Sequence, residues 1–477
     1  MKIKFWLYLI LSLAIFFSST KPIAAQIESL DWVENKYGIH ILNAKTDIPK
    51  AAELLNSNGG DWSWITIVIR QDEMNQTYWQ EFFELCREYH LIPIVRIATK
   101  IENNYWLKPT RQDLNDFANF LNKLNWPIRI KFVIVFNEPN RGDEWGGEAN
   151  PEEYADILYW AGKIFKQVDE NFWLISAGLD LAAPNKPPKY YSAENFYRQM
   201  ITYNLKVFED IDSLGSHSYP NHGFVGKPTD VGKTSIRGYN WEINYLKKLG
   251  VQKNLTAFIT ETGWPHQEGN EKFKKFYHSE ILIKFFEQAF DIWQKDPEII
   301  AFTPFLLNYS NQPFDHFSWQ QPDGNFYSYG LSLQKKAKGQ NRPPQINKGQ
   351  IEKISFPFIL LPNHQYKGKI KILNKGQKIW GEDKIKYCFN PLSIPKISFG
   401  PLCQINIKPV KLNQTDWFEF EFMLKNQEQI TEFVWENLPP VHLDRQQASF
   451  SKKIIQIGNN FISRLKIPRP FFGKDTR

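Results

Sequence analysis

Two glutamates stand where strand-like segments end, and this makes them the first candidates for chemistry. Glu138 follows the apolar run 132–136, and Glu261 closes the run 257–260. A carboxyl group at the end of a buried strand is partly removed from water, so its surroundings can shift its pKa. Two such groups can divide a reaction between them. One, protonated, gives a proton to a leaving group, and the other, ionised, attacks an electrophilic carbon.

The elements that must position these glutamates lie between residues 37 and 309. Eight short runs rich in Ile, Val and Phe are typical of buried parallel strands, and the segments between them have helical periodicity. The runs are residues 37–44, 64–70, 92–99, 130–136, 172–178, 211–218, 256–261 and 300–307. This alternation predicts an α/β fold, a (β/α)8 TIM barrel. A doubly wound open sheet is the alternative, but it favours a Gly-rich loop after the first strand, where this chain has Asn43-Ala44-Lys45-Thr46.

Composition divides the 477 residues into segments. Residues 1–25 have the positive start, apolar run and small residues of a signal peptide, so we expect an extracellular or cell-surface protein. An uncleaved N-terminal anchor is the alternative. The barrel is predicted over 26–331, and a linker rich in Lys, Gln, Asn and Pro over 332–350. Residues 351–440 predict a small all-β sandwich, loosely Ig-like, and 441–477 a basic tail.

Charge and cysteine content exclude several classes of protein. The net charge of +7 is spread along the chain without a basic stripe in the barrel segment, so no nucleic-acid partner is expected. Three cysteines are too few for a disulfide-stapled scaffold. Cys86 lies at helical spacing with large apolar residues and is predicted to be buried. Cys388 and Cys403 either pair in an oxidising compartment or remain free.

The strand assignment brings the two glutamates together. In a TIM barrel the carboxyl ends of the strands share one mouth, and strands four and seven face each other across it. Glycoside cleavage with retention needs two carboxyl groups about 5 to 5.5 Å apart. Asn137-Glu138-Pro139 and Glu261 resemble the signature of clan A retaining glycoside hydrolases, over residues 37–330. The resemblance implies Glu138 as acid/base, Glu261 as nucleophile and Asn137 as a ligand of the sugar 2-hydroxyl.

The same resemblance assigns supporting residues. His217 and Tyr219, after the sixth strand, are similar to the residues that orient the nucleophile and the sugar at the cleavage site. Arg70, closing strand two, is similar to the arginine that pairs with the nucleophile. Arg96, near the end of strand three, is a rival with equal chemistry.

Aromatic residues at the predicted mouth are candidates for stacking on sugar rings. Trp264 and Trp319 either stack on the substrate or seal the barrel rim. The family usually has a tryptophan directly after strand eight, and this chain departs from that pattern, because Trp319 comes well after Asn308. The segments 141–149 and 221–236 are further candidates for subsite walls.

The sequence therefore predicts an exported retaining β-glycosidase that acts on a polysaccharide or oligosaccharide. We expect no metal and no cofactor, since neither ligand spacing nor a phosphate loop is evident. A non-catalytic carbohydrate-binding or cell-surface barrel, with the β-domain as a docking module, is the alternative. The glycan, endo or exo action, transglycosylation and oligomeric state stay open.

Overall fold

The structure is a computed structural model, and it describes residues 29–268, 275–357, 364–392, 398–423 and 432–442. The chain divides into two compact units, residues 1–344 and 345–477. The predicted signal peptide and residues 443–477 of the predicted tail lie outside the described residues. No helix in the described ranges is sufficiently long and apolar to cross a membrane.

The first unit alternates strands and helices. Its elements are β1 Gly38–His40, α1 Ile48–Leu55, β2 Ser63–Arg70, α2 Gln76–Glu88, β3 Leu91–Ala98, the hairpin strands β4 Ile101–Glu102 and β5 Tyr105–Trp106, α3 Arg111–Asn122, β6 Lys131–Val135, α4 Pro151–Val168, β7 Phe172–Ser176, α5 Ala193–Tyr203, β8 Ser213–His217, α6 Gly238–Lys248, β9 Thr256–Glu261, α7 Ser279–Lys295, β10 Ile299–Phe302 and α8 Ser328–Lys335.

The parallel strands form a barrel. The eight-stranded sheet has the order β1-β2-β3-β6-β7-β8-β9-β10, which is the order along the chain. Its two ends meet, because Tyr37 bridges Phe302 in parallel and the Phe302 N–H donates to the Lys36 carbonyl at 3.0 Å. The predicted (β/α)8 barrel is confirmed.

Successive side chains along the strands point alternately into the barrel interior and into the core between strands and helices. On β6, Phe132 and Ile134 point into the barrel, where they pack with Trp64 and Phe258. Val133, between them, packs in the larger core between strands and helices. This alternation is the two-residue period of a strand, and it fixes which strand residues reach the barrel mouth from the inside.

Capping residues determine where helix α4 begins. The Asn150 side chain accepts hydrogen bonds from the first turn of α4, and Pro151 occupies the first helical position. The predicted linker 332–350 is wrong over its first part. Helix α8 includes residues 332–335, and the buried Asn341 side chain donates to the Asn35 and Trp62 carbonyls at 2.7 and 2.8 Å, so the first unit continues to residue 344.

The second unit is all-β. A six-stranded antiparallel sheet contains β11 Gly349–Ser355, β12 Gln365–Asn374, β13 Cys388–Phe389, β14 Ser398–Phe399, β15 Leu402–Gln404 and β16 Thr415–Met423, and a separate pair contains β17 Glu432–Phe433 and β18 Val441–His442. Phe433 packs on Phe420 of the larger sheet, with ring centroids 5.1 Å apart. The predicted β-domain is confirmed, although it includes 441–442 of the predicted tail. Cys388 and Cys403 form a disulfide, and Cys86 is buried.

Candidate active site

The two predicted glutamates meet at the carboxyl ends of the barrel strands. Glu138 lies just after β6, and Glu261 is the last residue of β9. A carboxylate oxygen from each, together with a ring nitrogen of His217, lies within 4.8 Å of the others. The Glu138 and Glu261 side chains are 16% and 13% exposed, so both reach solvent through the barrel mouth.

The backbone after β6 turns sharply to present Glu138. Phe136 and Glu138 have φ angles of 68° and 30°, in the left-handed region that side chains other than glycine seldom adopt. The Glu138 N–H donates to the Gly178 carbonyl at 3.1 Å, which ties this turn to the neighbouring strand. Gly178 also makes room for His217, because a Cβ there would lie 2.2 Å from the His217 ring.

His217 lies between the two carboxylates. Its Nδ1 is 2.7 Å from Glu138 Oε1 and 3.8 Å from Glu261 Oε2, and its side chain is 2% exposed. Burial by itself lowers the pKa of His217, but the negative charges of Glu261 and Glu138 outweigh it, so the pKa is raised. The resemblance implies that His217 orients the nucleophile, Glu261. In this structure His217 instead hydrogen-bonds Glu138, the acid/base candidate.

Glu261 is held in its ionised form. Arg96 Nη1 donates to Glu261 Oε1 at 2.7 Å, and the Tyr219 hydroxyl donates to Oε2 at 3.2 Å. Burial raises the pKa of Glu261, but the positive charges of His217 and Arg96 outweigh it, and the pKa lies below its usual range. An ionised carboxylate is the form that a nucleophile requires.

The pKa of Glu138 is shifted in the opposite direction to that of Glu261. Burial raises the pKa of Glu138, and this exceeds the lowering by the His217 hydrogen bond, while Asp180 and Glu261 raise it further. The Nε of Arg141 lies 3.6 Å from Glu138 Oε2. Two neighbouring carboxyls with opposite pKa shifts are the arrangement that separates a proton donor from an ionised partner.

Asn137 is part of a chain of contacts that the sequence did not reveal. Its Oδ1 accepts a hydrogen bond from Arg96 Nη1 at 2.6 Å, and its side chain also hydrogen-bonds Glu144. Burial, with the nearby charge of Glu138, raises the pKa of Glu144 to about 7. Glu144 lies in the segment 141–149 that the sequence singled out, but nothing in its spacing distinguished it from the other acidic residues there.

Arg96, and not Arg70, pairs with the nucleophile candidate. Arg70 forms ion pairs with Asp72 at 3.0 Å and Glu73 at 3.1 Å, so its predicted role is not supported. The strand register explains the difference. Arg96 is level with Val68 on β2, whereas Arg70 is level with Ala98, two residues nearer the mouth. Two residues of strand amount to about 6.6 Å along the barrel wall.

The two tryptophans predicted to stack on sugar are buried. Trp264 and Trp319 are each 1% exposed. The Trp264 indole N–H donates to the Gly226 carbonyl at 2.7 Å, and both rings pack against Phe286. The stacking prediction is therefore wrong, and these rings seal the rim, which was the other interpretation. Trp145 of the segment 141–149 is also 1% exposed.

An aromatic ring, that of Phe305, follows the last strand of the barrel, β10. Phe305 follows β10 by three residues, is partly exposed, and contacts the His40 ring at 5.2 Å. Burial lowers the pKa of His40 to about 3, which keeps this ring neutral beside Arg96 and Glu261. The sequence has no tryptophan directly after β10, and the structure has Phe305 three residues beyond its end.

The carboxylate pair and His217 also form a set of potential metal ligands, within the part of the chain that the structure describes. Arg96 is already within 2.7 Å of Glu261, and its fixed positive charge opposes a cation bound between the same oxygens. The residues therefore fit proton transfer and nucleophilic attack better than metal binding.

Together, the fold and the site define a closed parallel barrel with two neighbouring carboxyl groups at its mouth. No protein-family model matches the sequence, and no curated protein sequence matches it. Solved structures do match. A family 39 glycoside hydrolase from Bacteroides cellulosilyticus is 12% identical, with 83% of this chain and 82% of that chain covered and a TM-score of 0.43.

Two further solved structures are similar. A monomeric beta-xylosidase from Caulobacter crescentus is 10% identical, with 81% of this chain and 96% of that chain covered and a TM-score of 0.44. A family 128 endo-beta-1,3-glucanase from Pseudomonas viridiflava is 13% identical, with 63% and 96% covered and a TM-score of 0.39. With TM-scores below 0.5, these similarities do not by themselves establish a family or an activity for the chain.

Proposed function

We propose that this protein is a glycoside hydrolase that cleaves β-glycosidic bonds with retention of configuration. One observation carries the proposal: a carboxyl oxygen of Glu138 and one of Glu261 lie within 4.8 Å of each other. The opposite pKa shifts of the two groups support it. Retaining enzymes need a separation of about 5 to 5.5 Å between the two groups, whereas inverting enzymes need about 6.5 to 9.5 Å.

The reaction takes two steps. Glu138 gives its proton to the departing glycosidic oxygen, while the Glu261 carboxylate attacks the anomeric carbon; the bond to the leaving oxygen breaks as the bond to Glu261 forms. Glu138, now ionised, then takes a proton from water as this water attacks the same carbon and releases Glu261. Arg96 and Tyr219 hold Glu261 in place through both steps by their hydrogen bonds.

The proposal extends to where the protein works and on what. The apolar run of residues 5–17, after Lys2 and Lys4, supports export, so the substrate is an extracellular polysaccharide or oligosaccharide. The β-domain would then be a docking module for a surface or a glycan. A mature enzyme without the first 25 residues, found by N-terminal sequencing of secreted protein, would agree with export.

The activity is tested with a panel of activated aryl β-glycosides and β-glycans. The Glu261→Ala variant should lose turnover, and azide should restore it on the best aryl glycoside, with a glycosyl azide of inverted configuration as the product. Glu209→Ala is the matched control, because Glu209 is exposed and precedes β8 at the opposite end of the barrel. This control should keep wild-type rates.

Two outcomes would contradict the proposal. Turnover with inversion by the wild-type protein would show that Glu261 is not a nucleophile. Tight glycan binding without turnover on any member of the panel would favour the alternative, a non-catalytic carbohydrate-binding barrel.

A further inference from the structure

A buried carboxyl group that the proposed mechanism does not use lies between α6 and β8. Glu242, on α6, is fully buried. The Ser216 hydroxyl, on β8, donates to Glu242 Oε2, and the Tyr197 hydroxyl donates to Oε1 at 2.7 Å. Burial raises the pKa of Glu242 to about 7, because its ionised form loses contact with water. An apolar side chain of similar volume would avoid this cost, so the glutamate indicates a role other than packing.

The hydrogen bonds continue along the end of β8. Ser216 and Ser218 stand on either side of His217, and their hydroxyl oxygens are 2.8 Å apart. Because the Ser216 hydroxyl donates its proton to Glu242, Ser218 is the donor in this pair. Ser218 Oγ in turn accepts the Tyr239 N–H, in the first turn of α6, at 2.9 Å. The two serines and Glu242, here called the serine–glutamate cluster, therefore fasten the end of β8 to α6.

The serine–glutamate cluster lies where the pairing of β8 with β9 is irregular. Ser216 is level with Ile259. The next residue, His217, is level with Glu261, so β9 contributes one extra residue between these two pairs. Phe258 points into the barrel, so regular alternation along β9 would turn Glu261 toward the helices. The extra residue brings Glu261 to the same face as His217, as strand irregularities beside active sites do when they re-aim a side chain.

Side chains on both strands hold this irregular end. The Thr260 hydroxyl, on β9, donates to the Ser216 carbonyl at 3.5 Å, and the Thr262 hydroxyl donates to the Ser218 carbonyl at 2.6 Å. Both threonines and both serines are buried. The threonines join the two strands to each other, whereas the serine–glutamate cluster joins them to a helix. The position of His217 therefore depends on a hydrogen-bonded group outside the barrel mouth.

We propose that Glu242 is a positioning residue: through Ser216 it fixes the end of β8, and so holds the His217 ring against Glu138 and level with Glu261. The inference rests on the proposed function and adds to it a buried group, on the helix side of β8, that acts only through His217. Loss of the link lets the end of β8 shift, and the two carboxyl groups then lose the ring that lies between them.

The experiment is a double-mutant cycle, on the aryl β-glycoside that the wild type cleaves best. Ser216→Ala and Glu242→Leu each break the link, and Ser216→Ala removes only one oxygen atom, so it serves where Glu242→Leu does not fold. Either change should lower kcat on the order of 10²-fold, as for a displacement of about 1 Å. In a His217→Ala background the same changes should cost less than about threefold, because the ring that they displace is already absent.

Two control variants separate positioning from stability. Glu242→Gln keeps the shape of the side chain and an oxygen that accepts from Ser216, so kcat should stay within about threefold of the wild type. Tyr239→Phe removes another buried hydrogen bond of α6, from its hydroxyl to Asp296 Oδ2 at 2.6 Å, and should keep the wild-type kcat. An equal loss of kcat with and without His217 would overturn the inference, since a general loss of stability acts in both backgrounds. An unaltered kcat in Ser216→Ala and Glu242→Leu would overturn it too.

A second readout does not depend on turnover. The NMR resonance of His217 Cε1, assigned by its loss in His217→Ala, reports the titration of the ring, whose pKa is raised by Glu261 and Glu138. Glu242→Gln and Glu242→Leu both remove the same charge, so a midpoint at least about one pH unit lower in Glu242→Leu reports displacement of the ring. Equal midpoints would overturn the positioning. The expected midpoints, without turnover of any β-glycoside by the wild type, would refute the proposed function while the fixing of His217 by Glu242 stands.

Discussion

Replacing Arg96 tests how Glu261 is kept ionised. Arg96 Nη1 lies 2.7 Å from Glu261 Oε1, and both side chains are 13% exposed, so water screens the pair only weakly. At an effective dielectric constant of about 20, two charges about 4 Å apart interact by about 4 kcal/mol. Arg96→Met keeps much of the side-chain volume and removes this attraction, which leaves a buried carboxylate with one fewer cation beside it.

The consequence is a shift in the pH profile. One pKa unit corresponds to about 1.4 kcal/mol, so losing up to about 4 kcal/mol raises the Glu261 pKa by at most about 3 units. Because the nucleophile must be ionised, the acid limb of the kcat/KM profile moves to higher pH, and kcat falls on the order of 10²-fold or more. Initial rates from pH 3 to 9, on an aryl glycoside that the wild type cleaves, measure both effects.

Arg70 provides the matched control for this experiment. It is also an arginine near a strand end, but it pairs with Asp72 and Glu73 and its side chain is 35% exposed. Arg70→Met should leave the acid limb in place. An unchanged limb in Arg96→Met, in a variant whose melting temperature shows that it is folded, would refute the reasoning, and so would an equal shift in Arg70→Met.

Three further outcomes are expected. Gly178→Ala should displace His217, because the added Cβ would lie 2.2 Å from the His217 ring. We expect kcat to fall at least tenfold in a variant that circular dichroism shows to be folded, and an unaltered kcat would contradict this packing. Burial raises the pKa of Glu242 from 4.5 to about 7, so its ionisation destabilises the folded wild-type protein as the pH rises between these values. Glu242→Gln removes this ionisation, so its unfolding free energy, measured with urea and expressed relative to that of the wild type, should be up to about 3 kcal/mol higher at pH 8 than at pH 4. Equal differences from the wild type at both pH values would argue against this. Dialysis against a chelator should leave kcat/KM unchanged, because Arg96 opposes a cation at the carboxylate pair; activity that is lost and then restored by a divalent metal would show a metal site.

The sequence predicted the barrel because its strands are continuous apolar runs, which few other arrangements bury. The eighth helix was harder to recognise. In α8 the buried residues are Tyr329, Gly330 and Leu333, and the basic, proline-containing stretch that follows has the composition of a linker. This stretch is attached to the barrel by the buried Asn341, whose side chain hydrogen-bonds residues about 300 positions earlier in the chain. Composition within a short segment contains no information about such distant partners.

The same limit applies to the site. Glu138 and Glu261 were found because Glu138 closely follows a strand and Glu261 ends one, and strand ends can be located from hydrophobicity alone. Arg70 and Arg96 also lie near strand ends, and only the register between β2 and β3 separates them. Trp264 and Trp319 have side chains that suit sugar stacking, but packing around Phe286 decides that they are buried. Register and packing are properties of the assembled barrel, so a single sequence did not supply them.

The most direct test of the account is to trap the intermediate on Glu261. An aryl 2-deoxy-2-fluoro-β-glycoside with a good leaving group forms the glycosyl-enzyme but slows its hydrolysis, since the fluorine destabilises the positively charged transition states of both steps. The intact protein should gain the mass of one fluoroglycosyl group, and peptide mapping should locate this group on Glu261. Steady turnover of the parent glycoside with no adduct, or an adduct on another residue, would contradict the double displacement proposed for Glu138 and Glu261.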